Sequence, residues 1–152
     1  MNRSFIIKNE REMQGLASSL ANTVSNGMFI ALFGDMGAGK TTFIRYFAAE
    51  LGIDSVASPT FTVVRNYVSD SINIAHFDCY RLSGADELYA LGFEDYLDGE
   101  SLIAMEWSEN CFDALPEQRL EIHINGSGCD PREVALISYG CEYDAIVDGI
   151  EL

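Results

Sequence analysis

Positive charge is scarce in this chain. Of its 152 residues only nine are Lys or Arg, against 24 Asp or Glu, which gives a formal net charge of −15 at pH 7. Most of such a surface repels the phosphate backbone of a nucleic acid. Direct and stable binding of DNA or RNA is therefore disfavoured, and a basic face on another protein is the more natural complement.

Long apolar runs and paired cysteines are also missing. The only apolar run between Met1 and Arg11 is Phe5–Ile7, far too short for a signal-peptide core or a membrane span. The four cysteines have no CxxC spacing, and the two histidines complete no paired metal-ligand pattern. We expect free thiols, no zinc site, no membrane contact and a soluble cytoplasmic protein.

What the chain does contain is a complete phosphate-binding loop. Residues 34–41 fit the pattern GxxxxGK[ST] and read Gly34, Asp35, Met36, Gly37, Ala38, Gly39, Lys40 and Thr41. The apolar run Met28–Phe33 precedes the loop, and Thr42–Leu51 follows with apolar residues at helical spacing. Strand, glycine loop and helix form the context that this motif requires. The loop amides and the helix N-terminus, including Thr42, would bind the phosphates of a nucleoside di- or triphosphate with Mg²⁺.

The remaining pattern predicts one α/β domain over residues 1–152. Hydrophobic residues make up 48% of the chain, enough for a normal core at this length. The predicted strands are Ser4–Lys8, Met28–Phe33, a hairpin-like pair from 58–67, which starts as a turn, and 72–78, then Leu102–Met105, and a terminal hairpin from 119–125 and 134–139. The predicted helices are Asn9–Asn26, capped by Asn9, Thr42–Leu51, and Ser83–Leu91, capped by Ser83, with a short turn over Phe93–Leu97. These elements favour a P-loop fold with a mixed central sheet flanked by helices, and residues 141–152 show no readable pattern.

Two acids stand where strands of the predicted sheet end. Asp78 follows the strand residues IAHF, and Glu106 follows LIAM. The carboxyl ends of parallel strands line the ligand crevice, and Mg²⁺ prefers hard oxygen ligands. We therefore predict that Thr41, Asp78 and Glu106 serve as metal or water ligands and that Lys40 contacts the phosphates. The alternative for each acid is an ordinary solvated strand end, although a charge after four apolar residues, as at Glu106, requires a partner.

Other polar residues near these motifs have two readings each. Thr60 and Thr62 could belong to a segment that senses a γ-phosphate, or to a plain β-turn. We expect Arg81 to form a structural ion pair rather than to touch phosphate. His76 and His123 are expected to be strand residues without a catalytic task, and core packing is the expected role of Trp107.

With these pieces in place, residues 10–125 resemble the TsaE (YjeE) family of small bacterial ATPases of tRNA threonylcarbamoyladenosine biosynthesis. The resemblance is carried by five motifs in order: GDMGAGKTTF at 34–43, SPTFTVV at 58–64, HFDCYRL at 76–82, ELYALGFEDYL at 87–97 and LIAMEW at 102–107. It implies binding of ATP or ADP with Mg²⁺, ATP hydrolysis, and action with the partner proteins TsaB and TsaD, which would link the chain to tRNA indirectly. From the residues themselves, which include no arginine that we assign to the phosphates, we expect hydrolysis by the chain alone to be slow. It also implies phosphate and metal contacts for Lys40 and Thr41, acidic metal or water ligands at Asp78 and Glu106, and a nucleotide contact for Glu10.

Two positions depart from the family pattern, and two other functions remain open. Met13 stands where the family often has threonine, and Ser108 replaces the proline that usually follows Glu-Trp. The same loop could serve a small-molecule kinase, although the seven arginines form no cluster of the kind expected for an acceptor lid. It could also serve a nucleotide-dependent interaction module that does not hydrolyse ATP.

Overall fold

The protein is described by a computed structural model that covers residues 1–152. It contains a single sheet of seven strands: β1 (Asn2–Ile7), β2 (Phe29–Phe33), β3 (Val64–Val68), β4 (Asn73–Asp78), β5 (Leu102–Glu106), β6 (Arg119–Asn125) and β7 (Arg132–Tyr139). The helices are α1 (Glu10–Ala21), α2 (Lys40–Glu50), α3 (Ala85–Ala90) and α4 (Cys141–Asp148), with 3₁₀ segments over Phe93–Leu97 and Ser108–Ala114.

The sheet is mixed, as the sequence predicted. Its strand order is β1-β7-β6-β2-β5-β4-β3, with β4, β5, β2 and β6 parallel to one another. The outer strands are antiparallel, and β6 and β7 form the predicted terminal hairpin. The carboxyl ends of the four parallel strands therefore meet at one edge, and Asp78 lies directly opposite Glu106 in the register of β4 and β5.

Each face of the sheet carries its own apolar core. α1 and α2 pack together on one face, over side chains such as Ile30, Leu32 and Ile74. α3 and the two 3₁₀ segments cover part of the other face, where Phe77 and Phe93 meet edge to face. β2, β4 and β5 are apolar along most of their length because they are buried on both faces.

Some predicted boundaries were wrong for local reasons. α1 ends at Ala21 rather than near Asn26, and the Thr23 hydroxyl donates to the carbonyl of Leu20 at 2.7 Å just beyond its end. Such side-chain bonds compete with continued helix. Asn9 caps α1 as predicted, with its side chain accepting from the amide of Glu12. β1 begins at Asn2 and ends one residue short of Lys8.

The other corrections concern α2, α3, β3 and the tail. α2 begins at Lys40, two residues before the predicted start, and α3 begins after Gly84, while Ser83 bonds to the carboxylate of Glu87. The segment over 58–67 starts as a turn, as predicted, but the turn continues as far as Val63, whose φ of 70° is in the left-handed region, so β3 begins only at Val64. The tail, which had no readable pattern, forms α4 and packs against β7.

The cysteines are free, as predicted. Cys79 and Cys111 are buried, whereas Cys129 and Cys141 are exposed. Burial raises the pKa of both buried thiols, so they are protonated and unreactive at neutral pH. No helix of the structure combines the length and the apolar character that crossing a membrane requires.

Candidate functional site

The phosphate loop leaves the carboxyl end of β2 and leads directly into α2. Gly34 has a φ of 152°, and a Cβ at this position would lie 2.5 Å from the carbonyl oxygen of Ile124 on β6. Gly39, with a φ of 109°, is the residue before the first turn of α2. Both positions therefore require glycine, the first for space and the second for its left-handed backbone.

Lys40 is held inside the loop. Its ammonium donates to the carbonyl oxygens of Gly34 and Asp35, and lies 3.9 Å from the ring centroid of Trp107. Only 5% of Lys40 is exposed. Burial lowers the pKa of Lys40, an effect opposed by the nearby carboxylates of Glu109 and Glu106. An anion entering the loop would favour the charged ammonium and would take over as its hydrogen-bond acceptor.

Thr41 joins the loop to the end of β5. Its hydroxyl donates to Oε1 of Glu106 at 2.7 Å, although the two residues are 65 positions apart in the chain. Glu106 is 2% exposed, so its carboxylate is a buried charge that needs such partners. Because the hydroxyl hydrogen of Thr41 points to Glu106, the oxygen lone pairs of Thr41 are left for another ligand.

Asp78 joins the end of β4 to the segment Ser58–Val64. Its Oδ2 accepts from the hydroxyls of Thr60 at 2.9 Å and Ser58 at 3.2 Å, and its Oδ1 accepts from the amide of Tyr80 at 2.9 Å. Asp78 is buried, so it is not the exposed strand-end acid that was its alternative reading. Thr60 thus contacts one of the two predicted acids.

Two cavities flank the phosphate loop. One, of about 350 Å³, is lined by most of the predicted site residues, Met36, Gly37, Gly39, Lys40, Thr41, Thr42, Thr60, Asp78 and Glu106, together with Ser58, Tyr80 and Trp107. The other, of about 340 Å³, is lined by Ile7–Glu10, Met13, Gly37–Gly39, Thr42, Gly128–Asp130 and Arg132. The loop separates the two cavities and contributes to both. We call them the phosphate cleft and the side pocket.

Glu10 lies in the side pocket and not in the phosphate cleft. Its carboxylate is 3.7 Å from the guanidinium of Arg45 on α2, and both side chains are largely exposed. Met13, one of the departures from the family pattern, lines the same pocket. The structure thus sets the predicted side-chain ligand Glu10 apart from Lys40, Asp78 and Glu106.

Arg132 is a residue near the loop that sequence reasoning missed. It lies 94 positions after Ala38, yet its Nε donates to the carbonyl of Ala38 at 2.8 Å and its guanidinium also reaches the carbonyl of Gly37 at 3.3 Å. The C=O and N–H of a trans peptide point in opposite directions. In the peptide between Ala38 and Gly39, the amide of Gly39 is therefore directed away from Arg132.

We expect Arg132→Ala to weaken ADP binding about tenfold. Hydrogen bonds from a charged donor contribute about 1.5–3 kcal/mol each, and part of that stabilises the loop in the shape just described. Calorimetric titration with ADP measures the effect, with Arg119→Ala as the matched control because Arg119 pairs with Glu121 away from the loop. Equal affinities in the two variants would contradict a role for Arg132 in the loop.

Three other residues make contacts that were not predicted. Arg81 forms no ion pair, so that prediction was wrong; it stacks on Phe61 at 4.5 Å, and Phe61 is 85% exposed. Trp107 packs against the second core, as expected, but also covers Lys40. His76 is completely buried and lies 2.7 Å from Glu106, a contact that nothing in the local sequence indicates.

The donor set suits Mg²⁺ better than a metal held by the protein alone. No three His, Cys, Asp or Glu side chains lie together as a metal-binding group. The cleft instead offers the hydroxyl of Thr41 and the carboxylates of Asp78 and Glu106, which are hard oxygen donors. Mg²⁺ is commonly held by one or two carboxylates together with substrate phosphates and water.

Comparison with known proteins gives a consistent family. The sequence model described as "Threonylcarbamoyl adenosine biosynthesis protein TsaE" matches residues 7–134. The tRNA threonylcarbamoyladenosine biosynthesis protein TsaE of Bacillus subtilis is 36% identical over 92% of this chain and 88% of its own length. The TsaE protein of Haemophilus influenzae is 38% identical over 73% of this chain and 70% of its own length. The crystal structure of YdiB from Bacillus subtilis superposes with a TM-score of 0.83 at 31% identity, covering 97% of this chain and 93% of that one.

Proposed function

Because the chain belongs to the TsaE family of tRNA threonylcarbamoyladenosine biosynthesis, we propose that it is the ATP-binding and ATP-hydrolysing component of that machinery. In this role it acts in the cytoplasm with TsaB and TsaD. These partners bind the tRNA, and the chain itself does not. The observation that carries the proposal is the 2.7 Å contact between Thr41 and Glu106, which joins the phosphate loop to a strand-end acid. A glycine turn with no ligand would not require a buried carboxylate at this position.

The nucleotide is expected to lie across the loop. Its phosphates fit the phosphate cleft, where Lys40 and the amides of α2 can neutralise them. Its base and sugar fit the side pocket, which brings Glu10, Met13 and the turn Gly128–Asp130 to the other side of the loop. Gly37, Gly39 and Thr42 line both cavities and connect the two parts of the ligand.

Thr41, Asp78 and Glu106 are the residues that would hold Mg²⁺. When bound, the ion supplies charge neutralisation at the phosphates. The chain itself supplies the remaining parts: Lys40 contacts phosphate oxygens, and a carboxylate of Asp78 or Glu106 orients the attacking water. Trp107 lies over the ammonium of Lys40, and Tyr80 contacts Trp107 with a tilted ring, at 5.0 Å between the two ring centroids.

The segment Ser58–Val64 is expected to be more protected from hydrogen exchange with an ATP analogue than with ADP. It is tied to Asp78 through two side-chain hydrogen bonds, from Ser58 and Thr60. A γ-phosphate and its metal would add contacts at that carboxylate and so order the segment. Exchange measured by mass spectrometry with ADP and with the analogue tests this. The plain β-turn reading predicts equal protection in the two states.

Hydrolysis by the isolated chain should be slow, and the TsaB–TsaD pair should accelerate it. The cleft contains no arginine among its lining residues, and an arginine supplied in trans can be worth about 10³–10⁵-fold in phosphoryl transfer. A chain of charge −15 is suited to a basic partner, so high salt should weaken the acceleration.

Steady-state phosphate release measures this, with the chain alone and with the pair, at low and high salt. Fast turnover by the chain alone, unaffected by the pair, would contradict the proposal. Release that depends on an added small-molecule acceptor would indicate a kinase, and tight ATP binding without any release, even with the pair, would indicate an interaction module.

A further inference from the structure

We propose that His76 is a positioning residue that holds the carboxylate of Glu106 in the orientation needed for Mg²⁺-dependent nucleotide binding. The inference rests on the proposed function, because it assigns a task to a neighbour of the Mg²⁺ and nucleotide site. Three observations carry it: the burial of His76, the distribution of its hydrogen bonds, and its place in the sheet.

A histidine at position 76 stabilises the folded protein less than an apolar residue of similar size would. The side chain is completely buried, and two residues on the same face, Ile74 on β4 and Ala104, the register partner of His76 on β5, are buried apolar residues. Nδ1 has no hydrogen-bond partner in the protein. A buried polar atom without a partner is unfavourable, because it has lost its hydrogen bonds to water and gained none in the protein. Packing alone would therefore favour a side chain such as leucine, and the reason for histidine must lie at its other nitrogen.

That other nitrogen, Nε2, lies 2.7 Å from Oε2 of Glu106. The second carboxylate oxygen, Oε1, accepts from the hydroxyl of Thr41. An ionised carboxylate only accepts hydrogen bonds, so Nε2 carries the hydrogen and donates it to Glu106. Each oxygen of this buried carboxylate is thus held by one donor, and His76 supplies one of the two.

The sheet explains how His76 reaches the site. His76 and Asp78 are two positions apart on β4 and share a face, and Asp78 pairs with Glu106 across β5. His76 therefore lies one layer deeper than the two acids, between them and the apolar core beneath α2. Through Glu106 it also acts on Thr41, because the hydroxyl of Thr41 takes its direction from the same carboxylate.

Loss of the Nε2 donor should reduce the factor by which Mg²⁺ tightens nucleotide binding. Removing a partner that supports a metal-ligating group typically costs about 10–100-fold in metal affinity. In His76→Leu we expect that factor to fall by at least about tenfold. If the wild-type factor is itself below about tenfold, we expect Mg²⁺ to have no effect on ADP affinity in the variant. ADP affinity without metal should stay near the wild-type value, because the phosphate loop is unchanged.

The experiment measures calorimetric affinity for ADP with EDTA and with saturating Mg²⁺. His123→Leu is the matched control. Nε2 of His123 lies 2.9 Å from Oε1 of Glu121, an equivalent contact between a histidine and a glutamate, but neither residue lines the phosphate cleft. If Mg²⁺ tightens ADP binding by the same factor in His76→Leu as in the wild type, the proposal is overturned. This holds even if the metal-free affinity is lower, because such a loss would show that His76 has only a structural role. If the wild type shows no Mg²⁺ dependence or no nucleotide binding, the proposed function itself fails, a result that is distinguishable from the first.

A conservative pair keeps the test decisive even if His76→Leu does not fold. In His76→Gln the amide nitrogen occupies approximately the place of Nε2. In His76→Asn the side chain is one methylene shorter, so its amide nitrogen does not reach Glu106. A wild-type Mg²⁺ factor in the Gln variant with a reduced factor in the Asn variant supports the positioning role. The same factor in both variants overturns it.

Discussion

Lys40→Ala is expected to abolish ATP hydrolysis and to weaken binding of Mg-ATP by about 10²-fold or more, which corresponds to about 2.7 kcal/mol. Lys40 is almost completely buried in the loop, and its ammonium is directed at backbone carbonyls that a phosphate would replace. A charge-assisted contact to phosphate is about twice as strong as a neutral hydrogen bond. No other lysine or arginine lines the phosphate cleft, so no neighbour can substitute for it.

Calorimetry with Mg-ATP checks the affinity, and phosphate release checks the turnover. Arg65→Ala is the control, because Arg65 is exposed on β3 and its removal changes the net charge by the same amount. Circular dichroism and thermal melting establish that each variant keeps its fold. Unchanged affinity in Lys40→Ala would show that the nucleotide does not bind at this loop.

Asp78→Ala and Glu106→Ala should each lower ATP hydrolysis by about 10²–10⁴-fold, the usual cost of losing a positioned base or water ligand. Both carboxylates face the phosphate cleft, and each already accepts hydrogen bonds that fix its orientation. The loop and its lysine stay in place, so metal-free nucleotide binding should change much less than turnover. The comparison of the two measurements separates a chemical role from loss of the binding site.

Single-turnover phosphate release with excess enzyme measures these losses with the TsaB–TsaD pair present. Asp113→Asn serves as the control, since Asp113 is an exposed acid on the 3₁₀ segment after β5 and does not line the cleft. A variant that retains wild-type turnover would remove its residue from the reaction. If both variants retain it, the water is oriented by some other group.

The local parts of the site could be predicted from the sequence because they are contiguous. The glycine loop, its strand and its helix lie within residues 28–51, so the motif and the apolar periodicity indicate them together. The juxtaposition of Asp78 and Glu106 was also predictable, because each ends a parallel strand and such ends share an edge of the sheet. Only the structure shows that β4 and β5 are adjacent and that Asp78 lies directly opposite Glu106 in their register.

What the sequence could not predict depends on contacts between distant segments. Arg132 reaches the loop only because the β6–β7 hairpin folds next to β2, and no local pattern around Arg132 signals that contact. His76 was interpreted as an ordinary strand residue, since its partner Glu106 is 30 positions away and on another strand. The position of Glu10 in the side pocket likewise depends on how α1 packs against α2.

The most direct test is a crystal structure of this chain with Mg²⁺ and a non-hydrolysable ATP analogue. We expect the β- and γ-phosphates in the phosphate cleft, within hydrogen-bond reach of Lys40, and the metal bound by Thr41 together with Asp78 or Glu106. The base should occupy the side pocket beside Glu10 and the turn Gly128–Asp130. Triphosphate density outside the cleft, or a metal that contacts none of Thr41, Asp78 and Glu106, would contradict the assignment of this site.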